Sequence, residues 1–143
     1  EETKAKKVLY IHGGEKSYVT RTRLQGIKEV ARQKQVELII KNANFLENEA
    51  REIAMQYGKE VDAIVCASDL MAIGAKRAMK EMGIECPICG FDGISLMEYV
   101  GQGIYTIGQN SAQISAIAVE ELQNLMNGDA GRIVEVEYTL FKN

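Results

Sequence analysis

The sequence predicts an α/β fold in which a mostly parallel sheet carries helices on both of its faces. Short β-rich apolar runs alternate along the chain with segments whose apolar residues recur every three to four positions, the spacing of an amphipathic helix. Such alternation is typical of right-handed crossovers between parallel strands. The chain has 143 residues, of which 46% are hydrophobic and 26% charged. It therefore fits one globular domain over residues 1–143.

Six strands are predicted from the apolar runs. The first run is closed by Gly13 and Gly14, which indicate a turn. The third is apolar throughout, as expected of a strand buried on both faces. The last alternates apolar and polar residues, so we expect one wet face and a place at the sheet edge. The predicted strands are 8–11, 36–40, 63–67, 87–91, 105–108 and 133–141.

Five helices are predicted between these strands, over residues 20–34, 47–57, 69–82, 95–100 and 111–126. Ser68 or Asp69 is expected to cap the third helix, and Gly83 to end it. The last helix begins at a cap formed by Asn110 or Ser111. Its apolar side chains are expected to point inward, and they are Ile114, Ile117, Ala118, Leu122, Leu125 and Met126.

Polar residues follow most of the predicted strands. In an open parallel sheet, ligands bind at the carboxyl ends of the strands. The residues at these ends are expected to lie along one edge, and they are 12–17, Asn44, Phe45, Ser68, Asp69, Asp92 and Gln109. The topology alone therefore predicts a binding edge made of these residues.

Several motifs resemble those of the lactose/galactose repressor family of transcription regulators. They are IHGG at 11–14 with RLQG at 23–26, SDLMAIGA at 68–75, GFDG at 90–93 and YTIGQ at 105–109. The resemblance runs from about residue 8 to the C-terminus and corresponds to the second half of that family's sensor region. It implies a Rossmann-like lobe of a periplasmic-binding-protein-like fold, without the DNA-binding domain or the first sensor lobe. Ser68 and Gly93 depart from the Asn and Asp common in the family, and residues 84–88 form a shorter loop.

The resemblance also implies effector-binding roles. The position of Arg23 clamps the effector, that of Asp92 accepts hydrogen bonds from it, and that of Phe45 stacks on its ring. The full set of implied ligand-binding residues is Arg23, Phe45, Ser68, Asp92, Gln109 and Ser17. Four of them have a structural alternative: a surface ion pair for Arg23, a turn for Asp92, the core for Phe45 and a helix cap for Ser68.

The function implied is that of an effector-sensing module of a cytoplasmic, dimeric transcription regulator, with a sugar-like effector and no cofactor, metal or enzymatic activity. A net charge of −3 argues against nucleic-acid binding by this chain itself, so DNA contact is assigned to the missing domain. No apolar run is long enough to span a membrane.

In relatives the chain crosses to the other lobe after the position of Gln109. We therefore expect helix 111–126 to pack on a neighbouring chain or to fold back.

Two other function classes remain as alternatives. A periplasmic sugar-binding protein of a transporter shares the fold, and a small doubly wound enzyme is the second alternative. His12 lacks the ordered partners of a catalytic set. Cys86 and Cys89 form a C-x-x-C that leads into a strand, whereas redox-active pairs begin a helix. One such pair also supplies only half of a structural zinc site.

Overall fold

The computed structural model describes residues 4–14 and 16–143, so Glu15, within the predicted binding edge, lies outside the described residues. The strands are β1 (Lys7–His12), β2 (Glu37–Asn42), β3 (Ala63–Cys66), β4 (Ile88–Asp92), β5 (Ile104–Gln109) and β6 (Tyr138–Lys142). The helices are α1 (Tyr18–Lys34), α2 (Glu47–Tyr57), α3 (Asp69–Met82), α4 (Met97–Val100) and α5 (Ser111–Met126), with a 3₁₀ turn at Gly58–Glu60.

The strands form a single sheet in the order β2-β1-β3-β4-β5-β6. The pairs β1–β2, β1–β3, β3–β4 and β4–β5 are parallel, and β5–β6 is antiparallel. The predicted fold class is confirmed. The connection through α1 runs in one direction across the sheet, and those through α2, α3 and α4 run in the other. Right-handed crossovers therefore place α1 on one face and the other three on the opposite face.

The core lies between the sheet and the helices on its α2–α3 face. Its largest fully buried side chains include Leu9, Ile11, Ile64, Met71 and Met79. Residues of β1 that alternate with Leu9 and Ile11 are also buried, because α1 covers that end of the opposite face. The central strands are apolar on both faces for this reason, as expected of a parallel sheet.

Caps define where α1 and α3 begin and end. Ser17 Oγ accepts from the backbone N–H of Thr20, and Ser68 Oγ accepts from that of Met71, each at 3.4 Å. Gly83 ends α3 in the left-handed conformation, with φ of 67°. Glycine takes this conformation without a Cβ penalty. Because Ser17 follows β1 and Ser68 follows β3, the N-termini of both helices lie at the carboxyl edge of the sheet.

The prediction that the apolar side chains of α5 point inward is wrong. None of its residues is buried, and Leu122, Leu125 and Met126 are 57%, 50% and 79% exposed. The amphipathic pattern identifies an apolar face but not the surface that covers it. The stretch around Arg132 to Val136 lies against α5, where Arg132 pairs with Glu121 at 2.7 Å.

The strand predicted over 133–141 is shorter than expected. Only Tyr138–Lys142 forms β6, at the sheet edge as predicted, and all five residues are exposed. The expected single wet face is therefore not observed. Residues 133–137 lack a neighbouring strand among the described residues, and alternation alone does not supply one.

The helix predicted over 95–100 is likewise reduced to Met97–Val100. No described helix has the length and apolar character needed to cross a membrane.

Candidate functional site

The guanidinium of Arg23 lies at the carboxyl edge of the sheet, held on three sides. Its Nη1 donates to the carbonyl oxygen of Ala67 at 2.5 Å, and its Nη2 donates to Asp92 Oδ1 at 3.1 Å. Its Cζ lies 3.7 Å from the centroid of the Phe91 ring. Two hydrogen bonds and a stacked aromatic face fix the plane of a guanidinium. Arg23 is thus oriented before any ligand arrives.

Asp92, the last residue of β4, joins this arginine to β5. Its Oδ1 accepts both from Arg23 Nη2 and from Gln109 Nε2, the latter also at 3.1 Å. Its φ is 115°, a backbone conformation that costs energy for any residue with a side chain. The structure thus brings Arg23, Asp92 and Gln109 together from α1, β4 and β5.

The second carboxylate oxygen of Asp92 keeps its acceptor capacity. In the part of the chain that the structure describes, both hydrogen bonds reach Oδ1, and Oδ2 receives none. The side chain is 34% exposed, so part of it is open to solvent. A carboxylate with one oxygen satisfied and the other open is suited to accept hydroxyl protons from a ligand.

The carboxyl group of Asp92 is expected to have a higher pKa than that of Asp62. Burial raises the pKa of the Asp92 carboxyl, and the Arg23 guanidinium offsets part of that rise. Backbone N–H groups of Lys6 and Lys7, which donate to Asp62 at 2.8 and 2.9 Å, lower the pKa of Asp62. A carbon-detected NMR titration of the two carboxyl groups measures the order directly. The reverse order would contradict burial as the dominant influence on the pKa of Asp92.

Phe45 lies at the same edge, after β2. Its ring packs directly on Gly13 at the end of β1 and is partly buried against the core. The structure therefore brings Phe45 to the edge that holds the hydrogen-bonded set, with its ring over the β1 end. The alternative prediction, that Phe45 is a core residue, is met in part, because its ring also packs against the core.

Ser17 and Ser68 both act as helix caps. Ser68 is buried, with 8% exposure, and its oxygen accepts from Met71 N–H. Ser17 is partly exposed beside the Gly14 turn, whose carbonyl accepts from Ser17 N–H at 3.1 Å. A capping hydroxyl still has its own proton to donate. Each serine hydroxyl thus accepts one hydrogen bond and, among the described residues, donates none.

Asp69, predicted to be mainly structural, is fully buried beneath the site. Its Oδ1 accepts from Thr106 Oγ1 at 2.5 Å, and its Oδ2 accepts from the backbone N–H of Ile94 at 2.9 Å. A Cβ on Gly90 would lie 2.3 Å from Asp69 Oδ1, so only glycine fits beside this carboxyl group. Asp69 therefore ties the turn after Asp92 to the strand that carries Gln109.

Three contributors to the site escaped the sequence analysis. The Ala67 carbonyl and the Phe91 ring hold Arg23, and Thr106 binds Asp69. Phe91 had a usable signal, because its place near the end of a strand puts it at the binding edge. The Ala67 carbonyl had none, since every residue has one.

His12 and the cysteines lie outside the hydrogen-bonded set. His12 is buried with its Nδ1 2.6 Å from the Gly13 carbonyl oxygen. Burial raises the pKa of the Cys86 thiol to about 11 and raises that of Cys89. Raised values favour the thiol over the thiolate that redox or metal chemistry needs.

The geometry defines an α/β domain with a charged and amide-bearing edge built from α1, β4 and β5. The chain belongs to the family of periplasmic binding protein-like domains, whose model matches residues 2–140. The ribose operon repressor of Haemophilus influenzae is 30% identical over 127 residues. That match covers 82% of this chain and 38% of the repressor. The resemblance to repressors of the lactose/galactose type is confirmed.

Solved structures of two kinds share the fold. A Lac repressor dimer bound to operator and the anti-inducer ONPF superposes with a TM-score of 0.87 at 23% identity, over 97% of this chain and 52% of that one. A periplasmic solute-binding protein of a transporter from Actinobacillus succinogenes, with bound D-allose, has a TM-score of 0.81 at 25% identity. It is matched over 95% of this chain and 51% of its own. The chain thus spans about half of each structure.

Proposed function

We propose that this chain is one effector-sensing lobe of a DNA-binding transcription regulator, and that it binds a sugar-like effector at the carboxyl edge of its sheet. The observation that carries the proposal is the preassembled set of Arg23, Asp92 and Gln109. In this proposal the chain is a binding module without enzymatic activity or cofactor. The parent protein is cytoplasmic and dimeric, and it contacts DNA through a separate domain.

The chemistry of the set suits neighbouring hydroxyl groups. Asp92 Oδ2 accepts one hydroxyl proton, and the N–H groups of Arg23 not used by Ala67 and Asp92 donate to hydroxyl oxygens. Phe45 offers a flat apolar face to ring C–H groups, and the Ser68, Ser17 and Gln109 side chains supply further hydrogen bonds. Because the charge of Arg23 is matched by Asp92, a neutral polyol fits without leaving a buried charge unpaired.

Regulation follows from differential affinity. An effector shifts the lobe arrangement only by binding one arrangement better than the other. The exposed apolar face of α5 supports a second lobe, since Leu122 and Leu125 are half-exposed or more and a contiguous apolar surface is usually covered by a partner. This lobe then forms one wall of the effector cleft.

The relatives favour a regulator over a transport protein. The curated relatives matched here carry names of operon repressors and HTH-type transcription regulators. The transporter alternative is supported by the solute-binding structure with D-allose. That structure has the same fold, and its ligand class agrees with the proposed chemistry, so it identifies a suitable test sugar.

Weak sugar binding confined to the predicted edge is the expected result for the isolated chain. D-allose and D-ribose should shift backbone NMR resonances near Arg23, Asp92 and Gln109, with a Kd weaker than about 1 mM because one wall of the cleft is missing. Asp92→Asn removes a charged acceptor and should weaken binding about 10-fold or more. Asp62→Asn is the matched control, because the Asp62 carboxyl is exposed and lies before β3, at the opposite end of the strands.

Two results would contradict the proposed function. One is an absence of shifts at this edge with every neutral sugar at high concentration. The other is tight binding by the isolated chain that Asp92→Asn leaves unchanged.

A further inference from the structure

The aromatic ring at the site edge is held by an unusual turn. Leu46 N–H donates to the Ala43 carbonyl at 2.7 Å, which closes a four-residue turn. Its central residues, Asn44 and Phe45, have φ values of 48° and 62°. Asparagine is common in this left-handed region, but a bulky aromatic residue there is an outlier that costs energy.

Side-chain hydrogen bonds stabilise this turn from both sides. Asn42 Oδ1 accepts from Asn44 N–H at 2.9 Å, and Asn42 Nδ2 donates to Asn44 Oδ1 at 3.1 Å. Asn44 Nδ2 donates to Glu49 Oε2 at 2.9 Å, which ties the turn to α2. Strained conformations persist where the surrounding structure over-determines them, and they cluster at functional sites. The backbone of Phe45 is therefore held in place independently of its ring.

The ring itself lies on bare backbone. A Cβ added to Gly13 would lie 1.9 Å from Phe45 Cε2 and 2.1 Å from Cδ2. No side chain larger than hydrogen fits there unless the ring moves. Gly14, the next residue, has no atom within 4 Å of an added Cβ. An added Cβ would therefore clash with the Phe45 ring at Gly13 but not at Gly14.

The position of the ring suits the rest of the site. Gly13 follows β1, and Ala67, whose carbonyl binds Arg23, follows the neighbouring β3. Asp92 ends β4, one strand further along. Adjacent strands lie about 4.8 Å apart, so the two spacings from β1 to β4 place the backbones of Gly13 and Asp92 roughly 10 Å apart. A sugar ring with its hydroxyls spans such a gap.

We propose that Gly13 is a positioning residue that seats the Phe45 ring, so that the ring packs on the C–H face of a cyclic, hydroxyl-bearing effector held by Arg23 and Asp92. The proposal rests on the proposed function and deepens it. Gly13 acts through Phe45 alone, and it touches no ligand atom. The strained turn sets the backbone of Phe45, and Gly13 sets the height of the ring.

A double-mutant cycle in the 143-residue chain tests this inference, with D-allose binding followed by NMR. Gly13→Ala should displace the ring, shift the proton resonances of the Phe45 ring, and weaken binding about 5-fold. Phe45→Leu, which keeps an apolar side chain and leaves Gly13 intact, should weaken binding by a similar factor. Gly13→Ala added to Phe45→Leu should have no further effect. Gly26→Ala, at an exposed position of α1 with no atom within 4 Å of an added Cβ, is the control and should leave both the ring signals and the affinity unchanged.

The outcomes separate this inference from the function on which it rests. If the unchanged chain shows no sugar-induced shift near Arg23, Asp92 and Gln109, the proposed function fails and the inference with it. If the chain binds D-allose and Gly13→Ala keeps full affinity, only the role of Gly13 is overturned. The same holds if the losses from Gly13→Ala and Phe45→Leu simply add. Phe45→Leu keeps the test decisive even if Gly13→Ala fails to fold, because an unchanged affinity in that variant would remove the ring from the site.

Discussion

Asp69→Ala is expected to lower the free energy of unfolding by about 4 kcal/mol, because it leaves one buried and one partly buried donor without an acceptor at about 1–3 kcal/mol each. The donors are the Thr106 hydroxyl and the Ile94 N–H, bound at 2.5 and 2.9 Å to a carboxyl group with no solvent exposure. Urea unfolding followed by circular dichroism measures the loss.

The matched control for this variant is Asp62→Ala. Asp62 also accepts two hydrogen bonds, from the backbone N–H groups of Lys6 and Lys7, but it is exposed, and water replaces it there. We expect a much smaller loss of stability. Asp69→Asn keeps one acceptor oxygen and should fall between the two. Equal losses for Asp69→Ala and Asp62→Ala would mean that burial of the Asp69 carboxyl does not govern its contribution.

Asp69 also matters to the binding site. Ile94 follows Asp92 by two residues, and Thr106 precedes Gln109 by three, so the Asp69 carboxyl holds the ends of β4 and β5 together. In a folded Asp69 variant, the NMR signals of Asp92 and Gln109 should broaden or shift. Effector binding should weaken although Asp69 itself is inaccessible to ligand.

Gly74→Ala should destabilise the chain by about 3 kcal/mol through overpacking between α2 and α3. A Cβ at Gly74 would lie 2.1 Å from the carbonyl oxygen of Glu47 and 3.2 Å from the backbone nitrogen of Arg51. Both contacts are backbone atoms, which cannot rotate away as a side chain can. The two helices must therefore move apart, and the apolar residues between them lose contact.

Gly26→Ala is the control for this second variant. Gly26 lies within α1, is exposed, and has no atom within 4 Å of an added Cβ. Alanine is the better helix former by about 1 kcal/mol, so the same substitution should stabilise the chain there. Thermal or urea unfolding of the two variants should thus shift in opposite directions. A shift in the same direction for both would contradict the close helix contact.

Helices and strands with regular apolar spacing were predictable nearly to their ends. The predicted bounds of α2 and the end of α3 at Met82 match the structure, because caps and periodicity are local properties of the chain. The prediction for α5 was wrong in its burial and that for β6 in its length. An apolar face or an alternating pattern indicates what a segment is able to bury, whereas burial depends on the surface that meets it.

The candidate site likewise has features that the sequence predicted and features that it did not. The rule for parallel sheets placed Asp92 and Gln109 at one edge from the sequence, and the family resemblance added Arg23. The serine caps were among the alternatives, and the structure has them. No local signal, however, indicated that Phe45 rests on Gly13, or that a single oxygen of Asp92 accepts from both Arg23 and Gln109.

The sequence by itself determined the fold class, the order of the elements and the edge of the sheet at which polar residues gather. These depend on spacing along the chain and on the handedness of crossovers. Only the tertiary structure decided which polar atoms meet. Arg23 and Asp92 are 69 residues apart, and their contact depends on where α1 packs against the sheet. Packing of whole elements sets that distance, because side chains in a dense interior have few positions open to them.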